Sequence, residues 1–250
     1  MKITYVYHSC FVIEIEDCIL IFDYYKGKLP ELDKNKKIFF FVTHRHGDHF
    51  NSDIYKYANY NEHVTYIISK DVRRCLSFVV HVGSVGEETI FVDENQELYL
   101  NVDNRKILEG DCGKNTMKIE TLRSTDQGVA YIIEYGGKSI YFAGDLHWWT
   151  WSGESEQATR FSEEDYREEM DKIKGRHFDE AFVVLDPRQE ERYYWGMKVF
   201  METADADHIF PMHFWEKFQY IDMFKHEACA LEYKDKIESI THEGQIFEYE

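Results

Sequence analysis

Proline is scarce in this chain, three residues in 250, and no stretch rich in proline, glycine and serine interrupts it. A flexible linker is therefore not expected, and one layered domain over residues 1–250 is. Long apolar runs are also missing: none approaches the ~18 residues of a membrane-spanning helix. Met1-Lys2-Ile3-Thr4 lacks the basic and apolar regions of a secretion signal. Both absences point to a cytoplasmic protein with no membrane partner. The cysteines (Cys10, Cys18, Cys75, Cys112, Cys229) are five, scattered and without a Cys-x-x-Cys pair. They read as reduced thiols packed as small apolar residues, which sets aside a thiolate zinc site. No Gly-x-Ser-x-Gly elbow occurs and Cys10 has no activating neighbours, so covalent catalysis has no support. Positive charge is short as well: 29 basic against 47 acidic residues give a net charge of −18, with no basic cluster. Such a surface repels phosphate backbones and anionic lipid, which leaves a small-molecule substrate as the expected partner, and no nucleic acid. The pattern is silent on oligomeric state.

What the chain has in quantity is apolar surface, 44% hydrophobic and 16% aromatic residues, enough for a large core. Thr4–Tyr7, Phe11–Ile15 and Cys18–Phe22 read as strands, the last two joined at Glu16-Asp17, and Lys37–Thr43 as a strand buried on both faces. Asp53–Ala58 and Ser69–Phe78 read as helical, with Ser69 as a cap. Strand-like segments return over Thr89–Tyr99, Lys106–Leu108 and Met117–Leu122. A hairpin follows, Val129–Tyr135 and Ser139–Ala143 about Gly136-Gly137. A helix is expected over Ser162–Ile173, opened by Ser162-x-x-Asp165 and stopped at Gly175. Ala181–Leu185 (strand), Trp195–Ala204 (helix), His208–Met212 (strand) and a helical stretch over Tyr220–Tyr233 complete the pattern. Strand clusters with helices between them imply an α/β fold of two packed sheets with outer helices.

The chemistry concentrates after the fourth strand, in Thr43-His44-Arg45-His46-Gly47-Asp48-His49. His44 and His46, two apart in an extended segment, project to one side and can grip one ion. Asp48 and His49, beyond a flexible Gly47, can turn to a second position. Imidazole and carboxylate suit Zn²⁺, Mn²⁺ and Fe²⁺. Other apolar runs end the same way: Ile21-Phe22 at Asp23, Phe142-Ala143-Gly144 at Asp145, Pro211-Met212 at His213. Strand ends converging on one edge are where such sheets place their sites.

Taken in order, His-x-His-x-Asp-His, Asp23, Gly144-Asp145 and His213 resemble the metallo-β-lactamase-fold hydrolases. Ser124-Thr125-Asp126-x-Gly128 and Gly144-Asp145-Leu146-x-Trp148-Trp149 are similar to small bacterial hydrolases of the ascorbate-phosphate lactonase kind. The resemblance implies a four-layer αββα sandwich with one or two divalent ions, zinc first and manganese or iron next. It places His44 and His46 on the first ion, Asp48, His49 and His213 on the second, Asp145 between them, and Asp23 behind a ligand histidine. The family's third histidine for the first ion is missing. Asp126 stands nearest its place: it is a substitute ligand, or it caps the turn before Val129 and the first site is weak or empty. The expected activity is hydrolysis of a small, anionic metabolite (ester, lactone, amide or phosphate ester) by a metal-bound hydroxide, with Asp48 or Asp145 as proton acceptor. A phosphodiesterase or nuclease on the same fold, or a non-catalytic metal binder, are the alternatives.

Beside these, His8 reads as a structural histidine with a lesser chance of reaching the site mouth. His147 stands beside the site, and Trp148, Trp149 and Trp151 divide between core packing and a pocket wall. Arg188 is a surface ion pair or an anion-binding group. His63, His81, His177, His208, His226 and His242 read as surface or packed residues.

Overall fold

The computed structural model describes residues 1–59, 63–76 and 89–249. One sheet contains β1 (Lys2–Tyr7), β2 (Cys10–Ile15), β3 (Cys18–Phe22), β4 (Lys37–Val42), β5 (Val64–Ser69), β6 (Thr89–Val92) and the C-terminal strand Ile246–Glu248. The other contains β7 (Glu97–Asn101), β8 (Ile107–Leu108), β9 (Thr116–Arg123), β10 (Val129–Tyr135), β11 (Lys138–Phe142), β12 (His177–Val184) and β13 (Asp205–Met212). With Ile246–Glu248 as β14, the orders are β14-β1-β2-β3-β4-β5-β6 and β13-β12-β11-β10-β9-β7-β8. Both sheets are mixed. Strands β3 to β6 run parallel, as do β11, β12 and β13. β1 reaches β3 through two antiparallel pairings, so it points the same way as β3.

Side-chain alternation decides the layers. In β4, Phe39 and Phe41 enter the core between the sheets, while Ile38, Phe40 and Val42 face outward. Phe22 stacks on Phe41 at 4.9 Å and on Phe142 of the other sheet at 4.4 Å, and Phe11 meets Phe182 at 4.7 Å. Burying each such ring stabilises by roughly 1.5–3 kcal/mol. Tyr131 adds a polar tie, its hydroxyl donating to the Val42 carbonyl at 3.0 Å across the layers. The outer face of the second sheet is covered by helices: Tyr141 lies on Phe200, and Tyr166 and Met170 join the same cluster. The outer face of the first sheet is covered by a 3₁₀ segment, Ser52–Asn59, whose Ile54 and Tyr55 are buried, and by α1 (Arg73–Leu76). The arrangement is the αββα sandwich.

The hairpin at Glu16-Asp17 is a two-residue turn, with Ile15 opposite Cys18. Val64–Ser69 is a strand that the helical reading of Ser69 onward passed over, although Val-Thr-Tyr-Ile-Ile is a β-branched run. Ser69 ends that strand and makes no capping bond, a short 3₁₀ turn and α1 follow, and residues 77–78 of the expected helix lie outside the described residues. α2 (Glu156–Asp171) starts before the expected Ser162 because Ser155 caps it, accepting from Ala158 N–H at 3.2 Å. The Ser162 hydroxyl donates back to Thr159 inside the helix. α3 (Trp195–Thr203) is near its expected span, whereas the stretch over Tyr220–Tyr233 is helical only at its start, α4 (Gln219–Lys225), and continues in turns. β14 was not anticipated.

Glu180 in β12 is 1% exposed, with one carboxylate oxygen unbonded. Burial, with Asp179 adding repulsion, pushes its pKa from 4.5 up to about 9. The folded chain thus keeps a proton that the unfolded chain releases, and stability falls as pH rises from 4.5 towards 9. Glu180→Gln should therefore melt several degrees above the parent at pH 8.5 and near it at pH 4.5. Equal melting temperatures at both pH values, by calorimetry, would contradict this account.

Candidate metal centre

Six strands deliver a polar residue to one edge of the sandwich. β1 is followed by His8, β3 by Asp23, β4 by Thr43 and His44, β11 by Asp145, β12 by Asp186 and β13 by His213. His8, Asp23 and His213 take left-handed backbone angles (φ 54°, 44° and 66°), which turn the chain sharply out of each strand. The β9–β10 turn contributes Asp126 to the same place.

The side chains form two groups. His44, His46, Asp126 and Asp145 make one, and His8, Asp48, His49 and His213 the other; within each, the candidate ligand atoms all lie within 4.8 Å of one another. Asp145 stands between them. Its Oδ2 is 3.4 Å from His44 Nε2, and its Oδ1 is 3.1 Å from His49 Nε2 and 3.4 Å from His213 Nε2. These contacts are not aligned as hydrogen bonds: His49 Nε2, His213 Nε2 and Asp145 Oδ1 are buried with no partner.

The outward nitrogens are fixed from behind. His49 Nδ1 bonds Asp23 Oδ2 at 2.7 Å, and His213 Nδ1 bonds Asp186 Oδ2 at 3.0 Å. His44 Nδ1 lies 3.0 Å from Thr43 Oγ1, whose own proton goes to Asp23 Oδ2 at 2.7 Å. With Nδ1 as the donor, Nε2 of each ring faces the site, where that of His44 also lies 3.0 Å from His46 Nδ1. Burial opposes charge on His49, but Asp145 and Asp23 outweigh it and hold its pKa well above the usual value. Burial likewise opposes charge on Asp145, and His49, His213 and His44 hold its pKa well below the carboxylate range. The Asp48 pKa is lowered against burial by His8, His49 and His213.

Two glycines allow this close approach. Gly128 has φ 70°, and a Cβ there would stand 2.0 Å from the Thr43 carbonyl oxygen. Gly144 has φ 55°, and its Cβ would meet Thr43 Cβ at 2.7 Å. Gly47, read from the sequence as a flexible joint, has open space around it and no positive φ.

All seven expected ligands, His44, His46, Asp48, His49, Asp126, Asp145 and His213, come together, and Asp23 lies behind His49. The Asp126 carboxylate does not cap the turn. Ser124 Oγ does, accepting from Asp126 N–H at 3.2 Å, while Asp126 Oδ2 lies 3.4 Å from His46 Nδ1. A cleft of about 350 Å³ opens over the groups, lined among others by Asp48, Asp126, Trp149, Trp151 and Arg188. Trp149 and Trp151 are pocket wall, whereas Trp148 packs on Trp195. His147 does not line the cleft: it is fully buried, bonded to Gln189 Oε1 at 2.6 Å, and burial lowers its pKa to about 4. Arg188 is an ion pair, with Asp186 at 2.8 Å from its Nε, and also faces the cleft. Sequence reasoning missed Asp186 and Thr43 and underweighted His8. The signal for Asp186 was the Leu185-Asp186 step, another apolar strand ending in a carboxylate. His177, His208 and His226 have partners elsewhere, and His81 lies outside the described residues.

A model of the beta-lactamase superfamily domain matches residues 2–160. The chain belongs to that superfamily. The family is one of metallo-β-lactamase-fold, metal-dependent enzymes, chiefly hydrolases. Comparison with curated protein sequences gives no match. Among solved structures, Igni18, a metallo hydrolase from the hyperthermophilic archaeon Ignicoccus hospitalis, is 18% identical with a TM-score of 0.59 over 100% of this chain and 99% of that one. A possible metal-dependent hydrolase from Veillonella parvula is 11% identical, TM-score 0.59, over 99% and 98%. The isothiocyanate hydrolase from Delia radicum gut bacteria is 11% identical, TM-score 0.50, over 100% and 99%. At these identities the likeness is one of fold.

The glycine geometry gives a paired expectation. Gly128→Ala forces a Cβ into the Thr43 carbonyl and should cost about 2 kcal/mol or more, while Gly47→Ala should cost well under 1. Denaturant unfolding of the two variants checks the contrast, and equal losses would contradict the close approach.

Proposed function

We propose that this superfamily member is a hydrolase that holds two divalent ions and acts on a small anionic ester, lactone, amide or phosphate ester. The observation that carries the reading is the pair of His49 and His213 Nε2 atoms with Asp145 Oδ1: buried, unpartnered, and with both nitrogens within 3.4 Å of that oxygen. Unpartnered buried polar atoms are costly, and an ion removes that cost. The donor set fits. His44, His46 and Asp126 would hold one ion, Asp48, His49 and His213 the other, with Asp145 placed between the two groups. Bound ions of this kind polarise a carbonyl or phosphoryl group and bring the pKa of a water to about 7.

The chain's own residues supply the rest. Both Asp145 oxygens face imidazoles, so Asp48, which borders the cleft, is the better placed proton acceptor. Trp149 and Trp151, stacked 6.0 Å apart, form one wall and exclude water from a bound substrate. Among the described residues Arg188 is the one Lys or Arg lining the cleft; its Nε and Nη2 bond Asp186, which leaves Nη1 for a carboxylate or phosphate. A cleft with a single cation in a chain of charge −18 argues against a nucleic-acid substrate. The likeness to ascorbate-phosphate lactonases brings lactones and phosphate esters to the head of a substrate screen.

Reconstituted protein should carry close to two equivalents of zinc, manganese or iron by elemental analysis. Excess chelator should abolish hydrolysis in the screen and lower the melting temperature together, because binding and stability are linked. Less than about a tenth of an equivalent after reconstitution would refute the reading.

Asp126 gives the first group one more oxygen ligand than an all-histidine set, which shifts its preference towards Mn²⁺ or Fe²⁺. Asp126→Ala should keep one ion and lose most of the other, the loss being greatest for Mn²⁺. A variant that retains two full equivalents of Mn²⁺ would exclude ligation by Asp126.

A further inference from the structure

His8 has no part in the chemistry above, yet its placement is unusual. Its ring is 1% exposed and neither nitrogen has a hydrogen-bond partner. An imidazole carries one donor and one acceptor when neutral, and leaving both unmet in the interior is unfavourable. An apolar side chain would fill the same space without that cost. The backbone is also committed: His8 takes φ 54°, its N–H donates to Tyr5 Oη at 2.9 Å, and its carbonyl accepts from His213 N–H at 3.3 Å. β1 and β13 are therefore joined at this residue, one sheet to the other.

The ring has a definite set of neighbours. It lies 4.1 Å from the His213 ring, 4.4 Å from Trp215 and 5.7 Å from His49, centre to centre. Its Nε2 is 3.6 Å from Asp48 Oδ2, too far for a hydrogen bond and on the side where Asp48, His49 and His213 converge. The structure thus presents three imidazoles and one carboxylate to a single point, with two of the imidazoles and the carboxylate already assigned.

We infer that His8 is a direct ligand of the second ion, which His8, Asp48, His49 and His213 hold together with Asp145. This rests on the two-ion reading above. The two ions then differ in kind. The second is enclosed by three imidazoles each no more than 1% exposed, whereas two of the first ion's ligands, His46 and Asp126, are 37% and 41% exposed at the cleft and only His44 among its imidazoles is buried. A closed set of protein ligands is the mark of a retained ion, and an open set the mark of one that meets substrate. The second ion should exchange slowly, and the first should carry the open position.

Cobalt(II) is a suitable probe because its spectra report each ligand. In the full chain loaded with two equivalents of Co²⁺, NMR should show hyperfine-shifted signals from five imidazoles. His8→Gln, close in volume, should lose one of them and keep the other four. Removal of Co²⁺ by chelator should be biphasic in the parent, and the slow phase should be 10–100-fold faster in His8→Gln, with the fast phase unchanged. Signals from four imidazoles in the parent would overturn the inference even if the variant failed to fold. So would a folded His8→Gln with the parent's Co²⁺ spectrum and release rates. A parent that takes up no Co²⁺ at all would instead refute the two-ion reading itself.

Discussion

The carboxylate of Asp23, fully buried, accepts from the Thr43 amide at 2.8 Å, the Thr43 hydroxyl at 2.7 Å and His49 Nδ1 at 2.7 Å, and the edge of the sandwich is organised around these three bonds. A charge in the interior is tolerated only when donors surround it. Here the donors come from the end of β4 and from the loop after it, so satisfying Asp23 also fixes where β3 and β4 stop. The same bonds choose the protonated nitrogen on His49 and, through Thr43 Oγ1, on His44. Thr43 in turn is covered by Gly128 and Gly144, neither of which can carry a side chain there. One buried acid thereby determines the aim of two imidazoles and the packing of two loops.

The second sheet repeats the device. Asp186, after β12, bonds His213 Nδ1 and is itself gripped by Arg188, whose guanidinium also lies over the Trp215 ring at 4.7 Å. Arg188 therefore connects the orientation of a candidate ligand to the surface that a substrate would touch. Neutralising it would disturb both, which is why its exposure does not make it an ordinary surface charge.

Much of the centre was legible because its residues are adjacent in sequence or end an apolar run. His44, His46, Asp48 and His49 lie within six positions, and Asp23, Asp145 and His213 each close a strand. The outcome at Asp126 depended on which side chain caps a turn, a choice between Ser124 and Asp126 that spacing alone does not make. His8 also ends a strand, but a lone histidine is usually structural, and only the approach of β1 to β13 across the layers puts it beside His213. The fold followed a similar rule. Strands with unbroken apolar runs were found, whereas Val64–Ser69 was obscured by its helix-like continuation and Ile246–Glu248 by its brevity. The start of α2 moved because two serines seven residues apart both suit a cap, and the bond from Ala158 selects Ser155.

The left-handed turns at His8, Asp23 and His213 bear on how this sequence can drift. Asparagine, aspartate, histidine and glycine enter that region of backbone space with little difficulty, whereas β-branched residues do not. Exchanges tolerated by the backbone at these positions are thus confined to a few residue types. His8 or His213 can pass to asparagine with the strand end intact and the imidazole gone. A descendant could therefore keep its sandwich long after its chemistry had lapsed, and its inactivity would be written in three positions rather than in a broken fold.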